Sequence, residues 1–113
     1  MDKREKQKGL IKMIDFEYKI TSPIGMHARP VANIVNVAEK YDSKITIGKE
    51  GTKLNGKSLM GMIALKAYEG DTLHVWIDGS DEEDAKEGLL QAFHDELSKE
   101  AYETMQKVTG QKL

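Results

Sequence analysis

Two hydrophobic periods alternate along this chain, and their order limits the fold more than any single residue does. Ile14, Phe16, Tyr18 and Ile20 recur at every second position with Asp15, Glu17 and Lys19 between them, the pattern of a strand buried on one face. Val31, Ile34, Val35 and Ala38 then recur at three- and four-residue spacing, which predicts an amphipathic helix from about 28 to 40. Ile45 and Ile47, flanked by Lys44 and Thr46, make a second strand. Turn chemistry at Gly48 to Gly51 and a short return strand at Thr52 to Asn55 complete a hairpin. A short helix is expected from about Ser58 to Ala67, with an apolar side drawn from Leu59, Met62, Ile63 and Ala67, and Gly70-Asp71 ends it. Alternation returns in Thr72 to Asp78, where Leu73, Val75 and Ile77 face a core and Thr72, His74 and Trp76 face away. Ser80 and Glu83 have the spacing of a capping box for the longest helix. Its buried stripe is Ala85, Leu89, Ala92, Phe93 and Leu97, and it is expected to run on through Tyr102 and Met105.

The order β-α-β-β-α-β-α predicts an α+β two-layer open-faced sandwich, a four-stranded antiparallel sheet covered on one face by three helices. With 113 residues and 39% apolar content, the chain can bury one modest core. The expected division is a charged, solvated tail at 1–13, one folded domain at 14–100, and a C-terminal extension at 101–113 that continues the last helix.

Lys and Arg number 17 against 19 Asp and Glu, so the overall balance favours neither nucleic acid nor an anionic membrane as partner. The chain has no cysteine, which removes disulfides and thiolate metal sites. It has no apolar run of about 18 residues that would insert in a membrane. Nothing near Met1 reads as a signal peptide, so a cytoplasmic address is expected. No metal and no cofactor is called for, and a monomer is the expected state.

Chemistry concentrates where an irregular loop becomes the first helix. Pro23-Ile24-Gly25-Met26 leads into His27-Ala28-Arg29-Pro30, and Pro30, with its fixed φ and no N–H, suits a first helical turn. A helix start offers free N–H groups and partial positive charge to an anion. His27 adds a nucleophilic nitrogen, and Arg29 adds a planar fork of donors that matches phosphate oxygens. Together they describe an accepting site for a phosphoryl group, although a histidine at a helix start is, taken alone, commonly a polar surface residue.

A second motif competes. Gly51 to Ser58 satisfies the phosphate-binding pattern G-x-x-x-x-G-K-[ST], with Leu73 to Asp78 imitating the partner strand that ends in aspartate. A phosphate-binding loop of that kind joins a strand to a helix in a parallel sheet. Here residues 52 to 55 close a hairpin, and the chain has too few βα units, so nucleotide hydrolysis is set aside. Read as a helix start, Ser58 is an N-cap. Phosphorylated, it would bring nearly two negative charges to free N–H groups and alter an adjacent docking patch.

Gly25-Met26-His27-Ala28-Arg29-Pro30 followed by Lys57-Ser58-Leu59-Met60-Gly61 resembles HPr, the phosphocarrier family of the bacterial sugar phosphotransferase system. Ala38 to Tyr41, Glu69-Gly70-Asp71 and Gly79 to Glu82 also match, and the resemblance covers about Ile14 to Glu100, the folded domain. It implies that His27 accepts phosphate on Nδ1 from phosphorylated enzyme I and passes it to sugar-specific IIA proteins, with Arg29 stabilising it. It further implies regulation by an HPr kinase/phosphorylase at Ser58, with Ala28, Leu59, Met60 and Ile63 as an exposed docking surface. The family also suggests the alternative of a Crh-like regulatory module that acts on a transcription factor through phosphorylated Ser58; such relatives lack the active histidine, so His27 favours the carrier. Ile24 and Gly56 depart from the family, standing where a small polar and an apolar residue are usual.

Overall fold

The strand and helix periods resolve into eight elements in the computed structural model, which describes residues 13–111. The tail expected at 1–13 lies outside the described residues except for Met13. In chain order the elements are β1 (Ile14–Lys19), α1 (Ala28–Ala38), β2 (Lys44–Lys49), β3 (Thr52–Asn55), α2 (Leu59–Ala64), β4 (Thr72–Asp78), α3 (Glu82–Leu97) and α4 (Lys99–Gln111). The strands form one antiparallel sheet in the order β1-β4-β2-β3.

Period-two patterning decides which face of that sheet is covered. Ile45 and Ile47 of β2 lie opposite Ile77 and Val75 of β4, and Phe16 and Tyr18 of β1 lie opposite Val75 and Leu73. All of these point to the helical layer. Ile45, Ile47, Leu73, Val75 and Ile77 are buried against Val31, Ile34, Val35 and Ala38 of α1 and Ala85, Leu89, Phe93 and Leu97 of α3. Phe93 carries the contact to the edge strand, its ring lying 6.1 Å from Phe16 and 5.3 Å from Tyr18. At roughly 1.5–3 kcal/mol for each large apolar side chain removed from water, this layer supplies most of what holds the helices down. On the open face His74 stacks on Trp76 at 4.0 Å, and Lys53 Nζ stands 4.5 Å over the Trp76 ring. The expected open-faced sandwich is the observed architecture.

Local boundaries differ from expectation at three places, each for a physical reason. Helix α2 spans Leu59–Ala64 rather than Ser58 to Ala67, because Lys66 takes a positive φ of 56° that ends helical geometry. Its inward residue is Met62, and Leu65 and Ala67 are buried beyond the helix end, whereas Leu59 and Ile63 stay exposed. The N-cap position of α3 is Asp81 rather than Ser80, and the Asp81 side chain makes no hydrogen bond to the helix. Glu82, not Glu83, reaches back to accept the Gly79 N–H at 3.2 Å. The third correction is the largest: the last helix does not run on through Tyr102 and Met105. The Leu97 carbonyl accepts from the N–H groups of Thr21 (3.0 Å) and Ser22 (2.9 Å), and Ser98 adopts extended backbone. The Ser98 hydroxyl then accepts the Ala101 N–H at 3.0 Å and so caps a new helix, α4.

Candidate functional site

The loop before α1 is shaped by its backbone before any functional side chain enters. Gly25 has φ +59°, and a Cβ there would lie 2.9 Å from Tyr68 Cα and 3.0 Å from the Ala67 oxygen, so both conformation and space require glycine. The Met26 N–H donates to the Ala67 carbonyl at 3.0 Å and the Met26 side chain is buried. One residue later the chain emerges at His27, which is exposed with extended backbone (φ −84°, ψ 170°). It is the N-cap of α1: its carbonyl accepts the Val31 N–H at 3.0 Å, but its side chain caps nothing. Imidazole chemistry is therefore not spent on the helix.

Helix α1 has no acidic residue in its first turn, and Pro30, at its third position, has no N–H. The amides of Ala28 and Arg29 thus begin a helix whose positive end is met by no side chain of that turn. Ala28 and Arg29 are exposed. His27 and Arg29 line one pocket of about 200 Å³ together with Ile24, Pro30, Glu96 and Met105. The Asn33 side-chain amide donates to Glu96 Oε2 at 3.0 Å and ties α3 to α1 beside this pocket. His27 and Arg29 thus bring an imidazole and a guanidinium, both groups that can meet an anion, to one small cavity beside the first turn of α1, with the Glu96 carboxylate held by Asn33 on its other side.

Glu96 and Met105 are absent from the sequence-based set of site residues. Met105 reaches the pocket only because the chain breaks at Ser98, and the one local signal for that break was a serine ahead of strong helix formers. Tyr18 reports the same approach of α4 from another side. Burial pushes its hydroxyl pKa up, and the Glu100 carboxylate adds to the rise.

The second predicted cluster forms around α2. The Ser58 hydroxyl accepts the Gly61 N–H at 3.0 Å, so Ser58 is the N-cap expected of it. Beside it Leu59, Met60 and Ile63 are 42%, 77% and 38% exposed, three large apolar side chains on one short helix. Leu59 also shares a groove with Ala32, Val35 and Asn36 of α1, so the two clusters occupy adjoining helices. The competing nucleotide motif does not form a phosphate loop. Its residues 52–55 are strand β3, antiparallel to β2, and Lys57 Nζ donates to the Tyr41 carbonyl at 2.6 Å. Among the described residues there is no group of side chains that could hold a metal ion and no helix long and apolar enough to cross a membrane.

A family model described as "PTS HPr component phosphorylation site" matches residues 14–95, which include both clusters. The chain belongs to the HPr family. It is 34% identical over 88 residues to the phosphocarrier protein HPr of Xylella fastidiosa, covering 78% of this chain and 99% of that protein. It is 36% identical over 78 residues to the HPr-like protein Crh of Halalkalibacterium halodurans, covering 69% and 93%. The crystal structure of HPr-C-His from Thermoanaerobacter tengcongensis superposes with a TM-score of 0.70 at 32% identity, over 74% of this chain and 93% of that one. The family is one of phosphocarriers in the phosphotransferase system, and this HPr-family chain shares the open-faced sandwich of its structural relatives.

Proposed function

We propose that this protein carries a phosphoryl group on His27, taking it from phosphorylated enzyme I and passing it to sugar-specific IIA proteins, as a cytoplasmic monomer. The observation that supports this most directly is the shared pocket of His27 and Arg29 at a helix start with no acidic residue in its first turn. In the transfer, the lone pair on His27 Nδ1 attacks phosphorus. The bond from phosphorus to the donor atom of enzyme I breaks as the new P–N bond forms, and its electron pair returns to that donor atom. Arg29 and the first amides of α1 meet the charge on the phosphoryl oxygens, so the chain supplies position and electrostatics and little else. The second transfer is the same step with His27 as the leaving group. Ala28, Leu59, Met60 and Ile63 are the docking surface in this reading.

Incubation with phosphoenolpyruvate and enzyme I tests it. Acid-labile, alkali-stable phosphate appears on the intact chain and is lost in His27→Ala. Arg29→Ala removes charge-assisted bonds of about 1.5–3 kcal/mol, so kcat/KM for labelling falls about 10- to 150-fold. An intact chain that takes up no phosphate sinks the proposal.

A Crh-like regulatory role is the second reading, favoured by the placement of Ser58 as the cap of α2 next to the exposed Leu59, Met60 and Ile63. There an HPr kinase/phosphorylase phosphorylates Ser58 and the modified face engages a transcription factor. Labelling at Ser58 by such a kinase, with no labelling at His27 by enzyme I, selects this role.

A further inference from the structure

Helix α4 begins at Lys99, beyond residue 95 where the match to the family model ends, yet it contributes Met105 to the pocket that holds His27 and Arg29. Its direction is set by contacts at its start rather than by chance packing. The Lys99 N–H donates to Thr21 Oγ1 at 2.8 Å, the Ser98 hydroxyl donates to the His94 carbonyl at 2.6 Å, and Glu100 lies 3.7 Å from His94 Nε2. Along the helix Ala101, Tyr102 and Met105 are half-buried, while Glu103, Thr104, Gln106 and Lys107 are exposed. Met105 is therefore aimed at the pocket by a fixed helix start.

We propose that Met105 is a specificity-determining residue of the His27 site, carried there by α4 to meet the protein that donates the phosphoryl group. The inference rests on the carrier reading. Ile24, Pro30 and Met105 are the apolar walls of the pocket, and Arg29 and Glu96 bring its charges. A donor that brings its phosphoryl group to His27 must cover that rim and desolvate the Met105 thioether, a flexible apolar group that adapts to the opposing surface. Contact of this kind is made equally before and during transfer, so it sets KM and leaves kcat alone. A lysine in its place gives up that apolar contact, and the docked donor desolvates its ammonium beside Arg29 on a rim where the Glu96 carboxylate already accepts from Asn33.

Steady-state labelling by phosphoenolpyruvate and enzyme I, on the full chain, reads the effect. Met105→Lys raises KM about tenfold with kcat unchanged, a loss of binding comparable to one well-buried apolar contact. Met105→Leu keeps the original KM, and Gln106→Lys, the same charge on the exposed side of the same helix, leaves it unaltered. A second measurement needs no variant that must fold. In the methyl-labelled intact chain the Met105 resonance, assigned with Met105→Leu, shifts when enzyme I is added. An unmoved Met105 methyl, or equal KM for Met105→Lys and Gln106→Lys, overturns the inference while labelling itself leaves the carrier reading standing. Absence of label on the intact chain removes both.

Discussion

The Asp81 carboxylate grips Ser43 twice, accepting its N–H at 2.9 Å and its hydroxyl at 2.5 Å through the same oxygen, while the other oxygen accepts the Asp42 N–H at 2.8 Å. One side chain thus ties the start of α3 to the turn before β2. The Ser43 hydroxyl and then the Asp42 N–H hold the Asp81 pKa below the usual carboxylate value. Asp71 is lowered as well, by the Tyr68 N–H and then by Lys49, whose ammonium lies 3.0 Å away. A carboxylate with a depressed folded-state pKa stabilises the fold at pH above its unfolded value, about 3.9, and loses that contribution as pH falls through the folded value. Asp81→Asn can accept through only one atom. Urea midpoints measured from pH 7 to pH 2 show the variant less stable at neutral pH, with the gap to the unchanged protein closing below about pH 4.

Helical glycine is costly by about 1 kcal/mol relative to alanine, which makes Gly88 in the middle of α3 informative. A Cβ there would lie 2.1 Å from the Tyr41 hydroxyl oxygen and 2.9 Å from its Cζ, so the residue is small because a ring crosses the helix. Gly88→Ala is expected to destabilise by about 1–3 kcal/mol through overpacking. In a Tyr41→Ala background the same change becomes stabilising by about 0.5–1 kcal/mol, since only the helix preference remains. A double-mutant cycle in urea reads this reversal of sign.

Ser58 can be altered to separate capping from charge. Ser58→Ala removes the acceptor for the Gly61 N–H and costs about 1 kcal/mol. Ser58→Asp keeps an acceptor and sets a negative charge beside Leu59, Met60 and Ile63. Equilibrium unfolding shows Ser58→Asp close to the unchanged protein and Ser58→Ala below it. Labelling of His27 runs the other way, with KM for enzyme I raised by Ser58→Asp and little altered by Ser58→Ala.

How much of this was legible in the sequence depends on whether a feature is local. The faces of β1, β2 and β4 follow from alternation, because Ile45, Ile47, Leu73, Val75 and Ile77 have one place to go when a single face is covered. Ser58 was readable as a cap because its acceptor role is met three residues away. The start of α3 is not, since Ser80 and Asp81 are both good cap residues, yet neither caps the helix with its side chain and the Asp81 carboxylate is taken by Ser43 and Asp42, far off in the chain. The break at Ser98 has only a weak local signal, the serine itself, because the partners of the Leu97 carbonyl are Thr21 and Ser22, far off in the chain. The helical pattern of the sequence continues through Tyr102 and Met105 across that break. Glu96 and Met105 could not then be assigned to the His27 pocket.

Ser98 itself supplies the last test, because its hydroxyl makes two contacts at the point where the helix breaks. Its hydroxyl accepts the Ala101 N–H and donates to the His94 carbonyl, and its extended backbone follows a carbonyl already taken by Thr21 and Ser22. Ser98→Ala removes the cap of α4, a loss of about 0.5–2 kcal/mol confined to a 13-residue helix that is short to stand by itself in water. The helix, and not the sandwich, therefore takes the loss. Amide exchange of α4 is expected to quicken about 2- to 30-fold in Ser98→Ala, while amides of β4 keep their protection. Ser98→Thr, which keeps a hydroxyl able both to accept from Ala101 and to donate to the His94 carbonyl, recovers most of the difference. Uniform loss of protection through α4 and β4 together would show instead that α4 is an integral part of the core and that its position over His27 is not separately adjustable.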